Sequence, residues 1–264
     1  MSHKGTISNN PSLIGFIIHK FPVFLNDLHP IIMPPMEMCI FASLIIKNMR
    51  ALIFGASGLI GSELLKLTLN DPYFSSVTVV VRKRLSLSNN KLTQIISTFE
   101  ELEENQMSLQ GDIVFSCLGT TKRKTPDPKE YYKIDHDYPI LASKIALKNG
   151  AKYIHLVSSL GASNSSSSTY LKLKGELENA ISKLTFEGIH FYRPSLIVGK
   201  RNEDRPLEDI STLIFKIINP LLLGSFRKYR SIAATDIARA MVSKAKQETK
   251  GVHIYQSNII KELA

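Results

Sequence analysis

The chain has 264 residues, 44% hydrophobic and 21% charged, a balance that suits a globular protein with one large core. Its formal charge of +10 raises nucleic acid or an anionic membrane surface as partners. No zinc-finger spacing, RNA-binding aromatic signature or compact basic block occurs, so the charge reads as a solvated basic surface that suits phosphate-bearing ligands, not nucleic acid. Two cysteines, Cys39 and Cys117, give no disulfide framework and no metal site, and they place the chain in a reducing, cytoplasmic setting.

Residues 1–48 do not resemble the rest of the chain. Two broken apolar runs, Leu13 to Leu25 and Cys39 to Ile46, flank Pro30, Pro34 and Pro35. Neither reaches the roughly 18 to 20 apolar residues a bilayer span needs, and the order of features is not that of a signal peptide. This leader is expected to be a disordered extension or a misassigned upstream start, with Met49 as the true beginning; its apolar content keeps membrane association as the alternative.

From Arg50 the pattern changes. Ala51 to Phe54 read as a buried parallel strand that runs into Gly55, Gly58 and Gly61, the spacing of a pyrophosphate-binding turn. The helix predicted from Leu59 to Leu69 aims its positive N-terminus at the phosphates. A β-branched strand, Val77 to Val81, ends in Arg82, Lys83 and Arg84. An acidic residue there would hold a free ribose 2′-hydroxyl; cations suit a 2′-phosphate, so NADP(H) is favoured over NAD(H). Further strands are predicted over Lys91 to Phe99, Asp112 to Cys117, Tyr153 to Val157, Ile189 to Tyr192 and Val252 to Tyr255. Helices are predicted over Glu100 to Gln110, from Asp137 to Gly150, from Tyr170 to about Leu184, from Leu207 to Ile218 and around Asp236 and Met241. Residues 122–134 and the serine-rich 163–168 read as loops. Strands alternating with helices at this spacing give an α/β doubly wound parallel sheet of Rossmann type, residues 49–264, whose part from about 195 covers the substrate.

The chemistry concentrates at the carboxyl ends of the later strands. Leu118, Gly119, Thr120 and Thr121 close the fourth strand, where a glycine with small polar residues would floor the nicotinamide. Ser158 and Ser159 end the fifth strand, Tyr170 follows about a dozen residues on, and Lys174 lies one helical turn after it. An ammonium beside a phenol favours the phenolate, so Tyr170 would exchange a proton with a substrate oxygen, and Ser158 or Ser159 would hydrogen-bond the substrate carbonyl. His136, His155 and His190 lack metal-ligand spacing, and Asp135 and Asp137 read as loop and N-cap groups.

At these residues the chain resembles the atypical short-chain dehydrogenases/reductases, and among them the Tat-interacting-protein-like oxidoreductases. The likeness runs through GASGLIG (55–61), FSCLGTTKRK (115–124), YYKIDHDY (131–138), LVSSLGAS (156–163), YLKLKGELE (170–178) and YRPSLIVGKRNEDRP (192–206). It implies NADPH contacts at Ser57, Gly58, Leu59 and Ile60, at Arg82 and Lys83, at Leu118 and Gly119, and near Ile197 and Arg205. It also implies Tyr170 as proton acceptor with Lys174, and by that match the serine is Ser158. Ser195 departs from it, standing where a glycine is common after Arg-Pro. The function expected is an NADP(H)-dependent oxidoreductase acting on a small carbonyl or alcohol. An NADPH-sensing binding protein and a nucleotide-sugar epimerase or dehydratase are the alternatives.

Overall fold

The computed structural model describes residues 48–199 and 222–264; the leader, the helix expected over Leu207 to Ile218, and Arg205 lie outside the described residues. In chain order β1 (Met49–Phe54) leads into α1 (Leu59–Asn70), β2 (Phe74–Val81), β3 (Leu92–Ile96) and β4 (Ile113–Ser116). Then come α2 (Pro128–Tyr132), α3 (Tyr138–Lys148), β5 (Tyr153–Val157), α4 (Thr169–Ser182), β6 (Gly188–Arg193) and β7 (Ile197–Val198). Beyond residue 222 are β8 (Ile232–Ala233), α5 (Ala234–Ala245), β9 (Gly251–Gln256) and α6 (Ser257–Leu263).

Among the described residues seven strands form one parallel sheet in the order β3-β2-β1-β4-β5-β6-β9, and β7 pairs with β8 in a separate two-stranded parallel ribbon. The chain winds outward from β1 in both directions, so a crevice opens beyond the carboxyl ends of β1 and β4, where such sheets take ligands. Both faces are covered, which is why β4 and β5 are buried along their whole length. On one face Ile53, Val79, Phe115 and Tyr192 pack with Leu64 of α1 and Met241 of α5; on the other, Leu52, Phe54, Ile154 and Phe191 pack with Ile145 of α3 and Leu177 of α4.

Three stretches differ from expectation. Residues 100–110 form turns and a short 3-10 helix, Gln106–Ser108, because Glu100 and Glu104 would repel across one helical turn and only Leu102 and Leu109 are buried. Within the expected loop 122–134, Asp127 caps α2 by accepting from the Lys129 N–H at 3.0 Å. The helix then continues through a π-turn, Lys133–Asp137, straight into α3. Asp137 is therefore already helical and caps nothing; its carboxylate meets His136 Nδ1 at 2.8 Å.

The first face carries an aromatic ladder. Register places Phe115, His155, His190 and His253 side by side on β4, β5, β6 and β9. The His155 and His190 rings stack at 4.3 Å, and those of His190 and His253 at 4.9 Å. Nδ1 of His155 meets the Tyr192 hydroxyl and Nδ1 of His190 meets that of Tyr255, each at 3.0 Å. Burial, reinforced by the neighbouring histidines, holds His155 well below the usual imidazole range and lowers His190 to about 4.

Candidate active site

The glycine corner is built by close approach. Gly55 takes φ +82°, and a Cβ there would lie 2.7 Å from the Cys117 carbonyl oxygen of the next strand end. A Cβ on Gly61 would fall 2.1 Å from the Gly55 carbonyl oxygen, so only glycine lets α1 begin this near β1. Gly58 is the N-cap of α1 without a side-chain cap, which leaves backbone N–H groups of the first turn facing the crevice for an anion.

This crevice has a volume of about 690 Å³ and brings together residues from six segments. Ser57, Gly58, Leu59 and Ile60 line it from the corner, Leu118, Gly119 and Thr120 from the end of β4, Ser158 from the end of β5, Tyr170 and Lys174 from α4, Ile197 from β7, and Asp135 from the π-turn. Ser159, half-buried, is not among its lining residues. Arg82 and Lys83 are exposed just beyond β2, and among the described residues neither makes an ion pair. Cys117 lines the crevice too, its thiol pushed up to about 12 by burial.

Beneath Tyr170 the structure holds two carboxylates that the sequence does not announce. Asp135, far from being a loop group, is buried and pairs with Lys174 Nζ at 2.8 Å, while its second oxygen accepts from the Thr120 N–H at 2.7 Å. Glu178 lies one helical turn beyond Lys174, on the face that also carries Tyr170. It accepts from Arg193 Nε at 2.9 Å and Nη2 at 2.5 Å, and from Ser158 Oγ at 2.5 Å. A carboxylate gripped by a guanidinium can only accept, so the Ser158 proton is committed to Glu178 and Oγ meets the crevice with lone pairs. Lys174 Nζ sits 6.0 Å from the Tyr170 ring centre. The nearby phenol of Tyr131 is pushed up by burial and by the Asp135 charge. Ser195, the departure after Arg-Pro, ties three segments: its N–H donates to Ser257 Oγ at 2.7 Å and its hydroxyl to the Arg230 carbonyl.

Comparison with known proteins assigns the family. The chain is 34% identical over 201 residues to HTATIP2 of Rattus norvegicus, a match covering 75% of this chain and 81% of that protein. It is 31% identical over 212 residues to mitochondrial FMP52 of Candida albicans, covering 77% of this chain and 90% of the relative. The chain belongs to the HTATIP2/FMP52 family of atypical short-chain dehydrogenases/reductases. Residues 50–130 also match the model of the semialdehyde dehydrogenase NAD-binding domain. Among solved structures, MoeE5 in complex with UDP-glucose and NAD superposes with a TM-score of 0.58 at 19% identity, covering 78% of this chain and 74% of that one. WbmG of Bordetella bronchiseptica in complex with NAD does so with 0.56 at 17%, covering 81% and 76%. At such identity the likeness shows the Rossmann-type fold. The family is one of NAD(P)-binding, oxidoreductase- or epimerase-like proteins. One expectation is overturned: FMP52 relatives from several fungi, Saccharomyces cerevisiae among them at 33% identity, are named mitochondrial, which points away from a purely cytoplasmic location. Cysteine usage reports redox state and does not choose between reducing compartments.

Proposed function

We propose that this member of the HTATIP2/FMP52 family is an NADP(H)-dependent oxidoreductase acting on a small carbonyl or alcohol. The observation that carries the reading is convergence: a glycine corner able to seat a diphosphate opens into the same crevice as Ser158, Tyr170 and Lys174. The residues fit the cofactor in kind. First-turn amides of α1 suit the diphosphate, the exposed Arg82 and Lys83 suit a 2′-phosphate, and Leu118 to Thr120 offer a small-residue floor. A bound nicotinamide nucleotide supplies or takes the hydride. Tyr170 gives its proton to the substrate oxygen on reduction and takes it back on oxidation, and Lys174 offsets the charge left on the phenol. Ser158, held as an acceptor, orients the hydroxyl of Tyr170 or of an alcohol substrate.

The NADPH-sensing alternative draws on one observation. Lys174 already has a carboxylate partner at 2.8 Å, which offsets part of the charge that proton transfer relies on. Steady-state oxidation of NADPH against a panel of aldehydes and ketones separates the two. The enzyme reading expects turnover that falls about 100-fold or more in Tyr170→Phe, the usual contribution of a positioned acid or base. Binding of NADPH with no turnover across the panel supports the sensor.

A further inference from the structure

Asp135 and Lys174 are 1% and 3% exposed, come from different helical segments, and meet at 2.8 Å. Asp135 is the buried member of the π-turn that interrupts the run from α2 to α3, and such a turn inserts a residue and redirects the side chains on it. Its other oxygen takes the Thr120 N–H, and Gly119 lies directly over the pair: a Cβ there would fall 3.4 Å from Asp135 Oδ1 and 4.0 Å from Lys174 Nζ. An ion pair this deep adds little net stability, because desolvating both groups offsets their attraction. What it does supply is position.

We propose that Asp135 is a positioning residue that locks the Lys174 ammonium and the Leu118–Thr121 backbone into one unit, so that the nicotinamide half of the cofactor meets an ammonium and a floor already in place. The inference rests on the reading that the crevice takes a nicotinamide nucleotide, and it goes beyond that reading by giving the π-turn carboxylate a share in cofactor affinity. Charge and position pull in opposite directions here. Removing a carboxylate from an anion-binding crevice tightens binding on charge alone; releasing the ammonium and the loop weakens it.

The test is fluorescence titration with NADPH of the wild type, Asp135→Asn, Asp135→Glu, Lys174→Met and the Asp135→Asn/Lys174→Met double variant, each well below its melting temperature. The titrant 2′,5′-ADP, which carries the 2′-phosphate but no nicotinamide half, is the control. Asp135→Asn is expected to bind NADPH about tenfold more weakly, the scale of one charge-assisted hydrogen bond, with 2′,5′-ADP unchanged. In the Lys174→Met background the same change is expected to add at most a small loss, the share carried by the hold on the Thr120 N–H, because the rest runs through the ammonium. Asp135→Glu keeps the charge but moves the ammonium by a methylene and loses affinity likewise. A merely structural carboxylate would shift melting and leave NADPH affinity alone. NADPH affinity in Asp135→Asn equal to or tighter than wild type overturns the proposal, as does an equal loss for 2′,5′-ADP or a full loss persisting in Lys174→Met. Should Asp135→Asn not fold, wild-type affinity in Asp135→Glu overturns it by itself. A wild type that binds neither titrant sinks the crevice reading and this inference together, whereas normal wild-type binding with an indifferent Asp135 sinks the inference alone.

Discussion

The two ends of the crevice are made by opposite means. At the corner between β1 and α1, function depends on atoms that are missing: Gly55 and Gly61 leave no Cβ where carbonyl oxygens stand 2.7 and 2.1 Å away. At the floor under Tyr170 it depends on paired charges, Lys174 buried with Asp135 and the half-buried Arg193 with Glu178. The corner is mostly local: Gly61 meets Gly55 within a single turn of chain, and only the approach of Gly55 to Cys117 needs β4 beside β1. The floor is assembled from β5, β6, α4 and the π-turn, and it exists only once the sheet has formed. One end is thus set by backbone sterics that tolerate no substitution, and the other by electrostatics that tolerate a substitution only if both partners change.

The largest effect is expected at the corner. Gly61→Val drives a side chain into the Gly55 carbonyl, and we expect a loss of more than about 3 kcal/mol of stability together with all nucleotide binding, read by thermal melting and NADPH titration. A folded Gly61→Val protein with wild-type affinity would mean the corner does not approach as described. At the floor, Glu178→Ala leaves the half-buried Arg193 without its partner and is expected to cost about 1–3 kcal/mol in urea unfolding. The paired change Glu178→Met/Arg193→Met should recover most of that loss. If the double variant is as unstable as the sum of the singles, the two side chains are not energetically coupled.

That contrast also explains what is legible in the sequence. The glycine triplet, the Tyr-x-x-x-Lys pair and the cationic end of β2 are short-range patterns whose spacing carries their geometry, and Ser158, Tyr170 and Lys174 do line one crevice. Asp135 and Glu178 carry no such mark. Asp135 stands near Asp137 in a stretch that reads as a loop and helix cap, and only the π-turn turns it inward. Glu178 follows Lys174 at the same four-residue step that joins Tyr170 to Lys174, a signal that could have been found, but its partner Arg193 comes from the end of β6. The histidines are legible as strand residues and not as a ladder, because stacking requires β5, β6 and β9 to lie side by side in register.

Smaller effects sharpen the account away from the crevice. His190, lowered to about 4 from 6.5, takes up its proton in the unfolded chain before it does so in the fold. Protons in that window therefore favour unfolding, and stability is expected to fall as pH drops from about 6.5 toward 4. Melting temperature against pH checks this, and His190→Phe should flatten the slope; an unchanged slope would remove the ladder from the acid response. Smallest is the effect at the end of β2. Arg82→Ala/Lys83→Ala should weaken NADPH about tenfold and leave NADH unchanged, as expected for losing charge-assisted contacts to a 2′-phosphate.

In the proposed function a phosphate-bearing nicotinamide nucleotide sits on the glycine corner with its reactive half beside Tyr170 and Lys174. Side-by-side titration of the wild-type protein with NADPH and NADH tests it most directly. The account predicts saturable binding of both with NADPH at least about tenfold tighter. Equal affinities would contradict the role given to Arg82 and Lys83, and no binding of either at millimolar concentration would contradict the whole reading of the crevice.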